Sequence, residues 1–186
     1  MKKQLLVIVN PKSGTGNQED LPHLIDEVID ESRFSVDVRM VQAEGDAYRF
    51  GREAVEKGYY GLVAVGGDGT VNGAAAAVVD SEVALAVVPC GSGNGLARHL
   101  NIPMNARKAL EVINHDRVEA FDYCTVNERP FMCTCGMGFD AQVAYDFSQA
   151  GKRGFITYLQ KTFSVYATYQ CDDYVIHLDG KRIDEK

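Results

Sequence analysis

The sequence predicts an α/β fold, a doubly wound parallel sheet followed by part of a β-rich region, and two observations predict it. Short apolar runs rich in β-branched residues alternate with stretches of helical period, the pattern of repeated strand–helix–strand units. Each of the four long runs also ends in a polar or glycine-bearing loop. Composition agrees, with 46% of the 186 residues hydrophobic and 24% charged, which is ordinary for a globular chain and excludes a disordered one.

Leu5 to Val9 is a continuous apolar run, as expected of a strand covered on both faces, and Asn10-Pro11 stops it. Leu21, Leu24, Ile25, Val28 and Ile29 recur at three-and-four spacing and form the stripe of an amphipathic helix. Phe34, Val36, Val38 and Met40 alternate with polar residues, so the second strand is more exposed and nearer an edge. Asp46 is placed to cap the next helix, which runs to about Lys57 and stops at Gly58. Leu62 to Val65 is the third strand, with the alanine-rich stretch Val71 to Val79 as its helix. Val83 to Val88 is the fourth strand, followed by a short helical segment from Leu96 to Leu100 and a helix from about Ala106 to Ile113 capped by Asn105. Crossovers of this kind are right-handed. Beyond about Phe121 the runs Tyr123–Val126 and Phe131–Cys135, joined through Asn127–Pro130, read as a hairpin. A helix follows with Phe155, Tyr158, Leu159, Thr162, Phe163 and Tyr166 on one face, a face read as packing, and the alternative is that with Lys152 and Arg153 it meets a membrane. Tyr174 to Leu178 then enters Asp179-Gly180, a hairpin turn signal.

Nineteen basic residues against twenty-six acidic give a net charge of −7, so the chain has no general attraction for nucleic acid and must bind any phosphate locally. Five cysteines make an odd set, which argues for free thiols, and Cys133-Thr134-Cys135 lacks the second pair of a zinc site. The apolar runs are too short to cross a bilayer, and the first is no secretory leader, so a cytoplasmic protein with at most surface contact to a membrane is expected.

In a parallel sheet, ligands bind outside the carboxyl ends of the strands. Four loops meet there: Asn10 to Gly16, Gln42 to Asp46, Gly66 to Thr70 and Pro89 to Gly95. Glycines let backbone N–H groups turn toward phosphate oxygens, aided by the positive end of the following helix. The Gly-Lys-Ser/Thr ending of a P-loop is missing, and Gly91-Ser92-Gly93-Asn94-Gly95 has the wrong spacing for a dinucleotide fingerprint. Asp68 instead sits inside a tight glycine turn. A carboxylate among phosphates is unfavourable unless Mg²⁺ lies between them or the carboxylate takes a proton from an attacking hydroxyl, and both readings point to phosphoryl transfer.

Asn10-Pro11-Lys12-Ser13-Gly14, Gly66-Gly67-Asp68-Gly69-Thr70-Val71-Asn72 and Pro89 through Arg98 together resemble the diacylglycerol kinase catalytic-domain family, which includes sphingosine and ceramide kinases and is more distantly related to NAD kinases. Gly136-Met137-Gly138-Phe139-Asp140-Ala141 looks like the start of that family's second domain. The resemblance implies a nucleotide-binding domain of the NAD kinase and phosphofructokinase type over residues 1–120, and the first part of a β-sandwich lipid-substrate domain over 121–186. These sixty-odd residues are fewer than the roughly 100 of a typical sandwich, so the second domain is expected to be incomplete. The resemblance further implies ATP and Mg²⁺ as cofactors, a lipid alcohol such as a diacylglycerol or sphingoid base as acceptor, transient contact with a membrane surface, no nucleic acid, and a homo-oligomer left open. By position, Asn10, Gly66, Gly67, Asp68, Gly69, Thr70, Val71, Asn72 and Ser92 would surround the nucleotide, with Asp68 the catalytic carboxylate or its Mg²⁺ contact. There are two departures. Val41 stands where many relatives have threonine, and the glutamate that bacterial members use late in the second domain as a base has no counterpart within residues 121–186. The alternatives are an NAD kinase, which would take a dinucleotide as acceptor, and a nucleotide-binding module without catalysis.

Overall fold

The computed structural model describes residues 1–14, 20–151 and 154–185, which form two compact units, Met1–Thr134 and Cys135–Lys186. In the first unit β1 (Lys3–Val9), α1 (Leu21–Val28), β2 (Phe34–Met40), α2 (Asp46–Glu56), β3 (Gly61–Gly66), α3 (Asp68–Val78), β4 (Ala84–Pro89), α4 (Gly95–His99) and α5 (Ala106–Asn114) follow in turn, and then a short hairpin, β5 (Cys124–Val126) and β6 (Arg129–Phe131). The four long strands make an all-parallel sheet in the order β2-β1-β3-β4. The doubly wound parallel sheet expected from the sequence is therefore the fold observed. The sequence pattern puts the start of the β-rich region at about residue 121, whereas the β5–β6 hairpin clusters with the first unit.

Successive residues of β1 point to opposite faces, and each face meets helices. Leu6 and Ile8 lie in a core with Phe50, Ala54, Ala74 and Val78 from α2 and α3. Leu5, Val7 and Val9 lie in a second core with Leu21 and Ile25 from α1 and Leu110 from α5. Burial on both faces is why β1 reads as an unbroken apolar run, while β2, at the sheet edge, keeps a polar alternation. Helices α2 and α3 approach closely because small residues face each other: a Cβ on Gly51 would lie 2.5 Å from that of Ala77.

Three local details differ from expectation. α3 begins at Asp68 rather than near Val71, so the glycine turn is also the first turn of a helix. Gly45, at φ 88°, is the residue that opens α2, and Asp46 is its first helical residue; the Asp46 carboxylate turns back to accept the N–H groups of Gln42 and Ala43 at 2.9 and 3.0 Å. The β5–β6 connection is a two-residue turn, Asn127-Glu128, both at positive φ, which matches the twist of paired strands and draws Arg129 and Pro130 into β6.

The amino-terminal edge of the sheet is closed by charge. Asp116, just past α5, accepts from Lys3 Nζ at 2.6 Å, Arg33 Nη2 at 2.9 Å and the Tyr60 hydroxyl at 2.7 Å. The Lys3 and Tyr60 bonds hold the Asp116 carboxyl below its usual range. A groove of 670 Å³ lies nearby along the free side of β4, lined by Leu85, Val118 and Phe121 among others. Its lining includes Gly61 and Ala84, which open β3 and β4 at the amino-terminal edge, and its Asp116 is already bonded to three partners.

In the second unit α6 (Phe139–Ser148), α7 (Phe155–Thr168), β7 (Tyr174–Leu178) and β8 (Lys181–Glu185) follow. The β7–β8 hairpin pairs over five residues about a turn at Asp179 and Gly180, both at positive φ. α6 and α7 each bury one valine, Val143 and Val165, and their rings meet edge-on in Phe147–Tyr158 and Phe139–Tyr166. The α7 face read as packing is largely open: Tyr158, Phe163 and Tyr166 are 42%, 71% and 77% exposed. Two helices and a hairpin offer too little surface to cover it. Lys152 and Arg153 lie outside the described residues.

Two outcomes are expected. Gly51→Ala gains up to about 1 kcal/mol of helix propensity but forces α2 from α3 at about 1–3 kcal/mol, so the melting temperature should fall by a few degrees. Because the folded-state pKa of Asp116 is depressed, its contribution is present above the ordinary carboxylate pKa near 4 and is lost as pH falls through the folded value. Asp116→Asn should lower stability at pH 7 and flatten the fall seen in thermal melts as pH drops below the ordinary carboxylate pKa near 4.

Candidate functional site

The direction of sheet growth reverses between β1 and β3, and the loops that leave these two strands border the resulting crevice. The sheet ladder continues one residue past three strands: the Asn10, Val41 and Cys90 N–H groups donate to the carbonyls of Val65, Val9 and Gly66. The loops thus leave the edge in fixed register.

Two bonds tie the first loop to the third. The Asn10 side-chain amide donates to Thr70 Oγ1 at 2.9 Å, and the Gly67 N–H donates to Ser13 Oγ at 3.2 Å. Asn10 Oδ1 also accepts the Lys12 N–H, which curls its own loop. Two more bonds tie the third loop to the fourth: the Asn94 and Gly95 N–H groups donate to Asp68 Oδ2 and Oδ1 at 2.8 and 2.6 Å. Asp68 therefore compensates the N–H groups that open α4, the end of a helix that favours negative charge. Glycine is required where these loops touch. A Cβ on Gly91 would lie 2.6 Å from the Gly67 Cα, and one on Gly93 would lie 2.7 Å from Asp68 Oδ2.

Of the residues singled out from the sequence, Asn10, Gly66, Gly67, Asp68, Gly69, Thr70 and Ser92 lie on this edge. Asp68, Gly69 and Ser92 are exposed, while Thr70 is buried and engaged by Asn10. Asn72 is exposed on the first turns of α3. Val71 turns away: its side chain is buried in the core with Leu6 and Ile8, and its N–H donates to the Gly67 carbonyl. Gly16 lies outside the described residues. In the second loop, the Arg49 guanidinium and the N–H groups of Gln42 and Ala43 hold the Asp46 carboxyl down to about 2, and Val41 is half-buried against the core. Asn94, which the sequence offers beside Ser92 as a hydrogen-bonding group for a ligand, is instead buried inside the fourth loop with both amide atoms bonded to Gly91. Its signal was its place between two glycines, since asparagine tolerates left-handed backbone.

Gly69 has open space where a Cβ would stand, whereas Gly91 meets Gly67 backbone. Gly69→Ala should leave the melting temperature unchanged or slightly raised, while Gly91→Ala should lower it and raise amide exchange at Asn94 and Gly95.

Comparison with known proteins places this geometry in a lineage. The profile of the diacylglycerol kinase catalytic domain matches residues 4–126. A diacylglycerol kinase of Staphylococcus aureus (strain bovine RF122 / ET3-1) is 28% identical over 185 residues, 97% of this chain and 58% of that protein. A "Probable lipid kinase YegS-like" protein of Serratia proteamaculans (strain 568) is 34% identical over 140 residues, 72% of this chain and 45% of that protein. The chain spans about half the length of the curated relatives it matches. A crystal structure of a diacylglycerol kinase from Bacillus anthracis str. Sterne superposes with a TM-score of 0.60 at 24% identity, over 81% of this chain and 54% of that one. Among the described residues no helix is long and apolar enough to cross a membrane. With its three glycine-bearing loops in order on one sheet edge, this chain belongs to the diacylglycerol kinase catalytic-domain family.

Proposed function

We propose that the chain carries the nucleotide half of an ATP-dependent lipid kinase, which transfers the γ-phosphoryl group to the hydroxyl of a diacylglycerol or a sphingoid-type alcohol. The observation that carries this reading is the set of side-chain bonds, Asn10 to Thr70, Gly67 to Ser13, and Asn94 and Gly95 to Asp68, which locks three glycine-bearing loops onto the switch-point crevice. The first turn of α3 opens there with backbone N–H groups that have no partner within the helix, and the glycine at its second position leaves room for a phosphate.

The residues fit Mg-ATP. Among the described residues no cluster of three or more acidic, histidine or cysteine side chains could cage a metal. Mg²⁺ needs no such cage, since it is commonly held by one or two carboxylates together with substrate phosphates and water. Asp68 is that carboxylate: it is exposed, and each oxygen has spent one acceptor position on a loop N–H and retains another. Bound there, the cation would neutralise charge on the transferring phosphoryl group. Asp68 is equally placed to receive the proton of the acceptor hydroxyl, and Ser92, exposed at the tip of the fourth loop, to hydrogen-bond a phosphate oxygen. The loops fix these groups before the nucleotide arrives, so little reorganisation opposes transfer.

Calorimetric titration with Mg-ATP tests the reading. The chain should bind, and Asp68→Ala should bind at least about tenfold more weakly. A longer chain that completes the second domain, given labelled ATP and vesicles containing diacylglycerol or a sphingoid base, should then show phosphoryl transfer. Transfer to NAD in place of lipid, or absence of Mg-ATP binding in a folded sample, would refute it.

A further inference from the structure

We infer that Asn94 is a positioning residue of the phosphate cradle, a role that rests on the nucleotide reading above and goes beyond the loops themselves. Asn94 is 8% exposed although its neighbours Ser92 and Gly93 are open to solvent. Its side chain closes on a single residue: Oδ1 accepts the Gly91 N–H at 2.9 Å, and Nδ2 donates to the Gly91 carbonyl at 2.7 Å. Both polar groups of Gly91 are thereby fixed, and Gly91 is the residue whose backbone abuts Gly67 of the third loop. The main chain of Asn94, at φ 55° and ψ 48°, directs its own N–H to Asp68 and its carbonyl to the Arg98 N–H.

One residue therefore sets both the gap between the two glycine loops and the orientation of the Asp68 carboxylate. Its amide atoms are bonded within the loop, so it acts on a ligand through Gly91 and Asp68 rather than by contact. The substitution that isolates this role is Asn94→Gly. Glycine adopts the left-handed conformation as readily and keeps the N–H to Asp68, yet it deletes both bonds to Gly91. Asn94→Asp keeps an acceptor for the Gly91 N–H, loses the donor, and adds a carboxylate beside Asp68.

The test is Mg-ATP calorimetry on the chain, Asn94→Gly, Asp68→Ala and the double variant, with melting temperatures and amide exchange at Gly91 and Gly95. Asn94→Gly should melt within a few degrees of the original chain, exchange faster at Gly91, and bind Mg-ATP about tenfold more weakly. The double variant should bind no more weakly than Asp68→Ala alone, because both changes act on one cradle. Undiminished affinity in Asn94→Gly, or losses that add in the double variant, would overturn the assignment while leaving the nucleotide reading intact. No binding by the original chain would instead overturn the nucleotide reading, and the assignment with it. Should Asn94→Gly fail to fold, Asn94→Ser, which removes the amide without adding charge, decides: at least fivefold weaker binding upholds the role, and unchanged binding removes it.

Discussion

Asp68 accepts the N–H groups of Asn94 and Gly95, and this pair of bonds makes one edge out of two turns that lie more than twenty residues apart. The arrangement favours a carboxylate on two counts. Helix α4 opens with N–H groups that need an acceptor, and the end of a helix that presents them carries partial positive charge. A short polar side chain such as asparagine would satisfy one N–H and present a donor to the other. The glycines at 67, 91 and 93 follow from this closure. Once the carboxylate draws the fourth loop onto the third, a Cβ on Gly91 would lie 2.6 Å from the Gly67 Cα, one on Gly67 would be tight against Gly91 at 3.2 Å, and one on Gly93 would displace the Asp68 carboxylate.

The two ends of the sheet are built by opposite logic. At the amino-terminal edge Asp116 gathers Lys3, Arg33 and Tyr60 around one carboxylate, so positive and negative charge meet within the protein. At the carboxyl-terminal edge the Asp68 carboxylate is bonded, among the described residues, to backbone N–H groups alone and remains open to solvent, with acceptor capacity left over. The first arrangement is suited to holding strands and helix ends together. The second leaves a carboxylate with spare acceptor positions, the feature on which the proposed nucleotide reading rests.

The second unit follows a different economy. Its α6–α7 pair buries Val143 and Val165 and uses ring edges elsewhere, leaving Ile156, Phe163 and Tyr166 outside. Helical spacing placed Tyr158, Leu159, Phe163 and Tyr166 on one face, but these are exposed while Val165, off that face, is buried, and spacing cannot say whether a stripe is covered. That depends on what else packs against it.

What the sequence determined by itself is the order and type of the elements in the first unit and which glycine-bearing loops gather at the carboxyl edge of its sheet. Periodicity separated strands from helices because burial on two faces, one face or one stripe leaves different repeats in the chain. Glycine placement marked the loops because few other residues tolerate close backbone approach. The tertiary structure decided the pairings. That the Asp68 carboxylate closes on the fourth loop, that Asn94 is buried there with its amide on Gly91, that Val71 faces the core, and that Gly45 rather than Asp46 opens α2 all depend on distances between segments remote in sequence or on single backbone angles. A one-dimensional pattern carries residue type and spacing, whereas these outcomes are fixed by which strands became neighbours and how closely their loops then met.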